Sequence, residues 1–132
     1  MLRLAKRIVD EMVEHARQDL PNEACGIIAG KDGQAVKLFR ARNAEASPYR
    51  YSVHTDDLFR IWRECEQNGW EFFVVYHSHV DSEAYPSATD VRLAYWAEPF
   101  YVVVSLQEPD APLVRAFRIV DGQVSEEELL VG

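Results

Sequence analysis

The segment Glu71-Phe72-Phe73-Val74-Val75-Tyr76 constrains this chain more than any other stretch of it. It is dense in Phe and Val, uncharged after Glu71 and without alternation, which predicts an interior strand covered on both faces. Such a strand needs neighbours in its sheet and helices packed against it. With 132 residues the chain has material for one self-sufficient core, and a single domain over residues 1–132 is expected.

The remaining elements arrange themselves around that strand. Leu4, Ile8, Met12 and Ala16, widened by Val9 and Val13, recur at helical spacing and predict an amphipathic helix over about residues 3–18, closed before Pro21. Ala24 to Gly30 is a short apolar run, and Lys31-Asp32-Gly33 after it signals a hairpin whose partner strand lies in Gln34–Arg40. Tyr49–Val53 reads as a further strand. Thr55 is a plausible N-cap for a helix from Asp56 to about Gln67, ended by Asn68-Gly69. After a polar loop, His77 to Pro86, a helix opens at Ser87-Ala88-Thr89-Asp90 and runs to about Ala97. Tyr101–Leu106 and Pro112–Val120 are strands, with a turn at Asp121-Gly122. The fold class is α+β, a mainly antiparallel sheet with three helices.

Charge narrows the function classes. Fourteen Lys and Arg stand against 22 Asp and Glu, a net −8, which argues against nucleic acid and anionic membrane surfaces as partners. Residues 81–110 hold six acidic groups against Arg92 alone, while Ser125-Glu126-Glu127-Glu128 reads as a solvated end. The first twenty residues mix both signs and no apolar run is long enough for a membrane span, so a cytoplasmic protein is expected. Cys25 and Cys65 cannot build a disulfide framework. Both are read as packing residues; a sharper reading has the Cys25 sulfur approaching the site described next and modulating it on oxidation. His15 and His54 are read as surface or capping residues.

Metal-capable groups concentrate in one place, Tyr76-His77-Ser78-His79, with Asp90 eleven residues beyond His79. Histidines at i and i+2 of an extended segment project to one side, so both imidazoles can converge on one ion. Asp90, brought back by the loop, would complete a His₂Asp set with an open fourth position, the arrangement of catalytic rather than structural zinc. Water at such a site has its pKa lowered to about 7. Two surface histidines and a simple Ser87-x-x-Asp90 helix cap remain the plain alternatives, and the cap is compatible with ligation because it aims the aspartate. His77-x-His79-x-Asp81 starts like the metallo-β-lactamase signature, but Ser82 stands where a histidine is required.

With Glu23 included, the sequence closely resembles the JAMM/MPN+ zinc metallopeptidases. The signature is an upstream Glu, then His-Ser/Thr-His, seven residues, Ser, two residues and Asp. Here these are Glu23, His77-Ser78-His79, Val80 to Pro86, Ser87, Ala88-Thr89 and Asp90. Pro21-x-Glu23-x-Cys25-Gly26 and Asn43-x-x-x-Ser47-Pro48-x-Arg50-Tyr51 are similar to the compact prokaryotic branch of that family. Val80 departs from it, since Pro commonly follows the second His, and this bears on loop stiffness more than on ligation.

The resemblance implies an MPN/cytidine-deaminase-like core with a curved sheet, and Zn2+ held by His77, His79 and Asp90. It implies Glu23 as the base that takes a proton from the attacking water and passes it to the leaving amine, and Ser87 as hydrogen-bond donor to the oxyanion. Ser78 should point away from the histidines. The implied substrate is a ubiquitin-like sulfur-carrier protein with a Gly-Gly tail. It would be cut after its terminal Gly to release an amino acid such as cysteine or a Lys-linked protein. Its tail would be gripped beside the His77–Pro86 loop and a neighbouring strand. A non-catalytic MPN scaffold and a zinc amide hydrolase of small peptides are the alternative functions, and a homodimer is left open.

Overall fold

Strand β4 (Glu71–His79) is the axis of the fold, as its composition requires, and the computed structural model describes residues 1–132 around it. On one side β4 pairs antiparallel with β2 (Cys25–Lys31), which forms a hairpin with β3 (Gln34–Ala41). On the other it pairs parallel with β5 (Phe100–Ser105), followed antiparallel by β6 (Leu113–Val120) and β7 (Gln123–Glu127). The six-stranded order is β3-β2-β4-β5-β6-β7, so the sheet is mixed with one parallel pair. A second, two-stranded parallel sheet joins β1 (Leu2–Leu4) to β8 (Leu129–Val131).

Period-two alternation divides the β4 side chains between two cores. Val74 and Tyr76 face helix α1 (Lys6–Gln18), packing with Ile8, Met12 and Ala16 together with Leu2 and Leu4 of β1. Cys25, Ile27 and Ala29 of β2 face helix α2 (Thr55–Asn68) and pack with Ile61 and Cys65. Burying each large aliphatic side chain of this kind contributes about 1.5–3 kcal/mol. Gly26 is required where β2 runs beside Tyr76 of β4: an added Cβ would lie 2.4 Å from the Tyr76 ring and 2.5 Å from the Phe39 carbonyl oxygen. Gly69 closes α2 in the left-handed region at φ 68°, the conformation a C-terminal glycine supplies most cheaply.

Several boundaries differ from those read in the sequence. The N-terminal helix starts at Lys6, not at residue 3, because Leu2–Leu4 are taken by the pairing with Leu129–Val131. The acidic end is likewise structured: Ser125–Glu127 belong to β7, Arg115 holds Glu126 at 2.5 Å, and Glu127 accepts from the chain's own amino terminus at 2.5 Å. Tyr49–Val53 is not a strand. Only Val53 bridges, to Asn43, and the Asn43 side chain bonds the backbone groups of Arg50 and Ser52 that a strand would have paired. His54, not Thr55, is the N-cap of α2, its Nδ1 accepting from the Asp56 amide. Helix α3 (Ala88–Arg92) is a short turn and a half that stops well before Ala97. His15 is neither surface nor cap; it is buried on α1, with Nδ1 2.8 Å from the Tyr76 hydroxyl and Nε2 3.2 Å from Asp19.

Candidate active site

The last residues of β4 carry the histidines. His77 and His79 alternate with Ser78, so both rings leave the sheet on the face away from α1, at the end of the parallel β4–β5 pair. The loop after His79 folds back and is stopped by the start of α3, where Ser87 and Asp90 form a reciprocal capping box. The Ser87 hydroxyl accepts from the Asp90 amide at 3.0 Å, and the Ser87 amide donates to Asp90 Oδ2 at 2.9 Å. That cap aims Asp90 at the histidines: its Oδ2 lies 3.0 Å from His77 Nε2 and 2.9 Å from His79 Nε2, and the two ring nitrogens are 3.1 Å apart. All three residues are buried.

The donor chemistry fits a cation. His79 Nδ1 faces the Glu83 carbonyl oxygen at 2.7 Å and must carry its proton there, which leaves Nε2 as a lone pair directed at a carboxylate oxygen. Buried acceptors face one another at such distances when a proton or a metal ion lies between them. The three donor atoms fall within 4.8 Å of one another, a spacing that one ion can bridge. A backbone carbonyl at Nδ1 is the kind of acceptor that orients an imidazole for ligation through Nε2. The sequence carried no sign of it, because any residue's backbone could have served. His77 has no such partner at Nδ1; its ring is held instead by stacking on Tyr51, with centroids 4.3 Å apart.

Glu23 lies close enough for the charges of His79 and Asp90 to act on its carboxyl. It lies just before β2, is 3% exposed, and its Oε1 is buried without a hydrogen-bond partner. Burial pushes its carboxyl up to about 8; the charge of His79 opposes this rise and that of Asp90 adds to it. For Asp90, burial works upward too, but the charge and hydrogen bond of His77, the bond from His79 and the Ser87 amide outweigh it and hold the carboxyl well below the usual range. Burial lowers His77. The two carboxyl groups are thus pushed in opposite directions, Glu23 upward by burial and Asp90 downward by its histidine and amide partners. Ser87 is exposed; its oxygen accepts from Asp90, which leaves the hydroxyl hydrogen free to donate outward.

Cys25 pairs in register with His77, yet its Sγ lies 3.6 Å from the Arg42 carbonyl and burial raises the thiol to about 12. It sits in the core shared with α2, and Cys65 joins it there. Ser78 points away from the histidines as expected, and its hydroxyl meets the Ala24 amide at 2.8 Å.

Three groups that could hold a metal ion thus stand together at the end of the parallel strand pair, beside an unpartnered acid. The family described as prokaryotic homologs of the JAB domain matches residues 5–120, and the chain belongs to it. It is 43% identical over 126 residues to the CysO-cysteine peptidase of Mycobacterium tuberculosis, a match covering 94% of this chain and 86% of that protein. It is 34% identical over 112 residues to the desampylase of Haloferax volcanii, covering 79% of this chain and 80% of that one. The solution structure of a Desulfitobacterium hafniense protein superimposes with a TM-score of 0.89 at 36% identity, over 100% of this chain and 93% of the other.

Proposed function

We propose that the chain is a zinc metallopeptidase that hydrolyses the amide bond after the C-terminal glycine of a ubiquitin-like sulfur-carrier protein, releasing an amino acid such as cysteine or a Lys-linked protein. The observation that carries the reading is the convergence of His77 Nε2, His79 Nε2 and Asp90 Oδ2 beside the unpartnered Glu23 carboxylate. The names of the mycobacterial and haloarchaeal relatives support the substrate class, since one is a CysO-cysteine peptidase and the other a desampylase.

His77, His79 and Asp90 would hold zinc, with the His₂-carboxylate donor set suited to it. When bound, the ion supplies a Lewis acid that polarises a carbonyl and acidifies water. The chain's own residues do the rest. Glu23 takes a proton from water as its oxygen adds to the scissile carbonyl, then delivers that proton to the departing nitrogen, so that the C–N bond breaks to a carboxylate and an amine. Ser87 donates its free hydroxyl hydrogen to the carbonyl oxygen as charge develops there.

Beside the stacked Tyr51–His77 pair an apolar cleft of about 150 Å³, lined by Tyr51, Val53, Leu58, Tyr95 and Trp96, can take apolar residues upstream of a glycine tail. Because β4 is interior to the sheet, an extended tail would have to pair with the loop that follows β4 or with an edge strand rather than with β4 itself. The test is cleavage of a carrier ending in Gly-Gly fused to a short peptide, against unrelated peptides of equal length. Release of the peptide after the last glycine, dependent on zinc, is expected. Equal turnover of the unrelated peptides would contradict the substrate class.

A further inference from the structure

Glu23 stands outside the β2 ladder, and its buried Oε1 has no partner to aim it. Something other than its own hydrogen bonds must therefore fix the direction of its side chain. The backbone around it is held at each polar group. The Glu23 amide donates to the Ser47 carbonyl at 2.9 Å, and the Glu23 carbonyl accepts from Asn43 Nδ2 at 3.1 Å. The Ala24 carbonyl accepts from the Ser78 amide at 3.0 Å, and the Ala24 amide donates to the Ser78 hydroxyl at 2.8 Å.

The last of these bonds breaks a pattern. With Cys25 opposite His77, continuing the register sets Ala24 opposite Ser78, and a regular antiparallel pair would exchange backbone bonds in both directions. Here one of the two goes to a side chain. Ser78 thus ends the β2–β4 ladder between the two histidines while β4 stays paired with β5, and its hydroxyl satisfies the Ala24 amide in a fully buried position. Asn43 acts from the other side. Its Oδ1 accepts from the Glu45 and Ser52 amides at 3.0 and 3.1 Å, and its Nδ2 also donates to the Arg50 carbonyl at 3.0 Å, which anchors it to the 43–52 loop while it holds Glu23.

We propose that Ser78 and Asn43 are positioning residues that set the direction of the Glu23 carboxylate through its backbone. This rests on the reading of Glu23 as the proton carrier. It gives a physical reason for a hydroxyl between the two histidines, where the side chain cannot reach the ion.

The test uses zinc-loaded full chain and a carrier–peptide fusion ending in Gly-Gly. Ser78→Ala is expected to lower kcat on the order of 10²-fold, with KM and zinc content unchanged, because a small misplacement of a reacting group costs that much. The Ala24 amide, followed by hydrogen exchange, should exchange at least about tenfold faster, since its acceptor is gone. Ser78→Thr keeps the hydroxyl and should restore both. Asn43→Asp keeps the acceptor for Glu45 and Ser52 but loses both Nδ2 bonds, to the Glu23 and Arg50 carbonyls, and should lower kcat with the Glu45 and Ser52 amides still protected. In a Glu23→Gln background Ser78→Ala should cause no further loss, because it acts through the group already removed. Full kcat in Ser78→Ala, loss of zinc in that variant, or an undiminished additional loss in the Glu23→Gln background would each overturn the proposal. Wild-type kcat in Glu23→Gln alone would instead overturn the reading of Glu23.

Discussion

A single oxygen of Asp90 is asked to do two things. Its Oδ2 faces both imidazole nitrogens and also accepts the Ser87 amide that starts α3. Removing it should therefore cost the metal and the helix start together: Asp90→Ala is expected to purify without stoichiometric zinc and to lose about 1 kcal/mol of stability from the cap. Elemental analysis checks the first, and zinc retained at the wild-type level would contradict the assignment. The spacing of His77, His79 and Asp90 was legible because a period-two strand and a capping pattern both have local signatures. Glu23 was legible only through the family resemblance, since an acid before an apolar run reads equally well as surface. His15 shows the opposite failure. It sits three residues after Met12, on the buried stripe of α1, but its partner Tyr76 is on another element and no local pattern links them.

At the scale of elements, the end of β3 is tied to the first turn of α2 by one carboxylate. Asp57 accepts from the Arg42 amide at 2.8 Å and from its guanidinium at 3.0 and 3.1 Å, and the Arg42 bonds hold its pKa down at about 2 from the ordinary 3.8. A depressed carboxyl stabilises the fold above its unfolded pKa, and that contribution is lost as pH falls through the folded value. Wild type should therefore lose stability between about pH 4 and pH 2 from this group. Asp57→Asn should be less stable than wild type at pH 6, with a shallower decline across that window. Urea melts at pH 6, 4 and 2 measure both, and parallel acid limbs would contradict the linkage. This tie bears on the site, because the loop it anchors carries Asn43 and Tyr51. Sequence reading made residues 49–53 a strand from their composition, whereas the Asn43 side chain supplies bonds that a neighbouring strand would otherwise provide. Side-chain substitution for a ladder leaves no trace in hydrophobic periodicity.

Across the whole molecule, the two ends of the chain close one core. Leu2 and Leu4 are each 1% exposed beneath the β1–β8 pairing, and Leu129 packs against the same cluster. Three-residue strands paired in parallel across the full length of a chain carry no local signal, so an N-terminal helix and a solvated tail were the natural reading there. Removing residues 129–132 should lower Tm by about 5–15 °C, because it uncovers those leucines. A thermal melt at wild-type Tm would contradict that role. The acidic balance keeps its place at this scale: residues 81–110 carry six acidic groups against one arginine, and of the six only Asp90 belongs to the metal-capable cluster. No helix is long and apolar enough to cross a membrane. All of this frames one reaction, and the measurement that tests it most directly is kcat of wild type against Glu23→Gln on a Gly-Gly carrier fusion, with zinc content determined in both. Equal zinc with kcat lowered by about 10²–10⁴-fold is the expected result. Near-normal turnover at unchanged zinc would contradict Glu23 as the proton carrier.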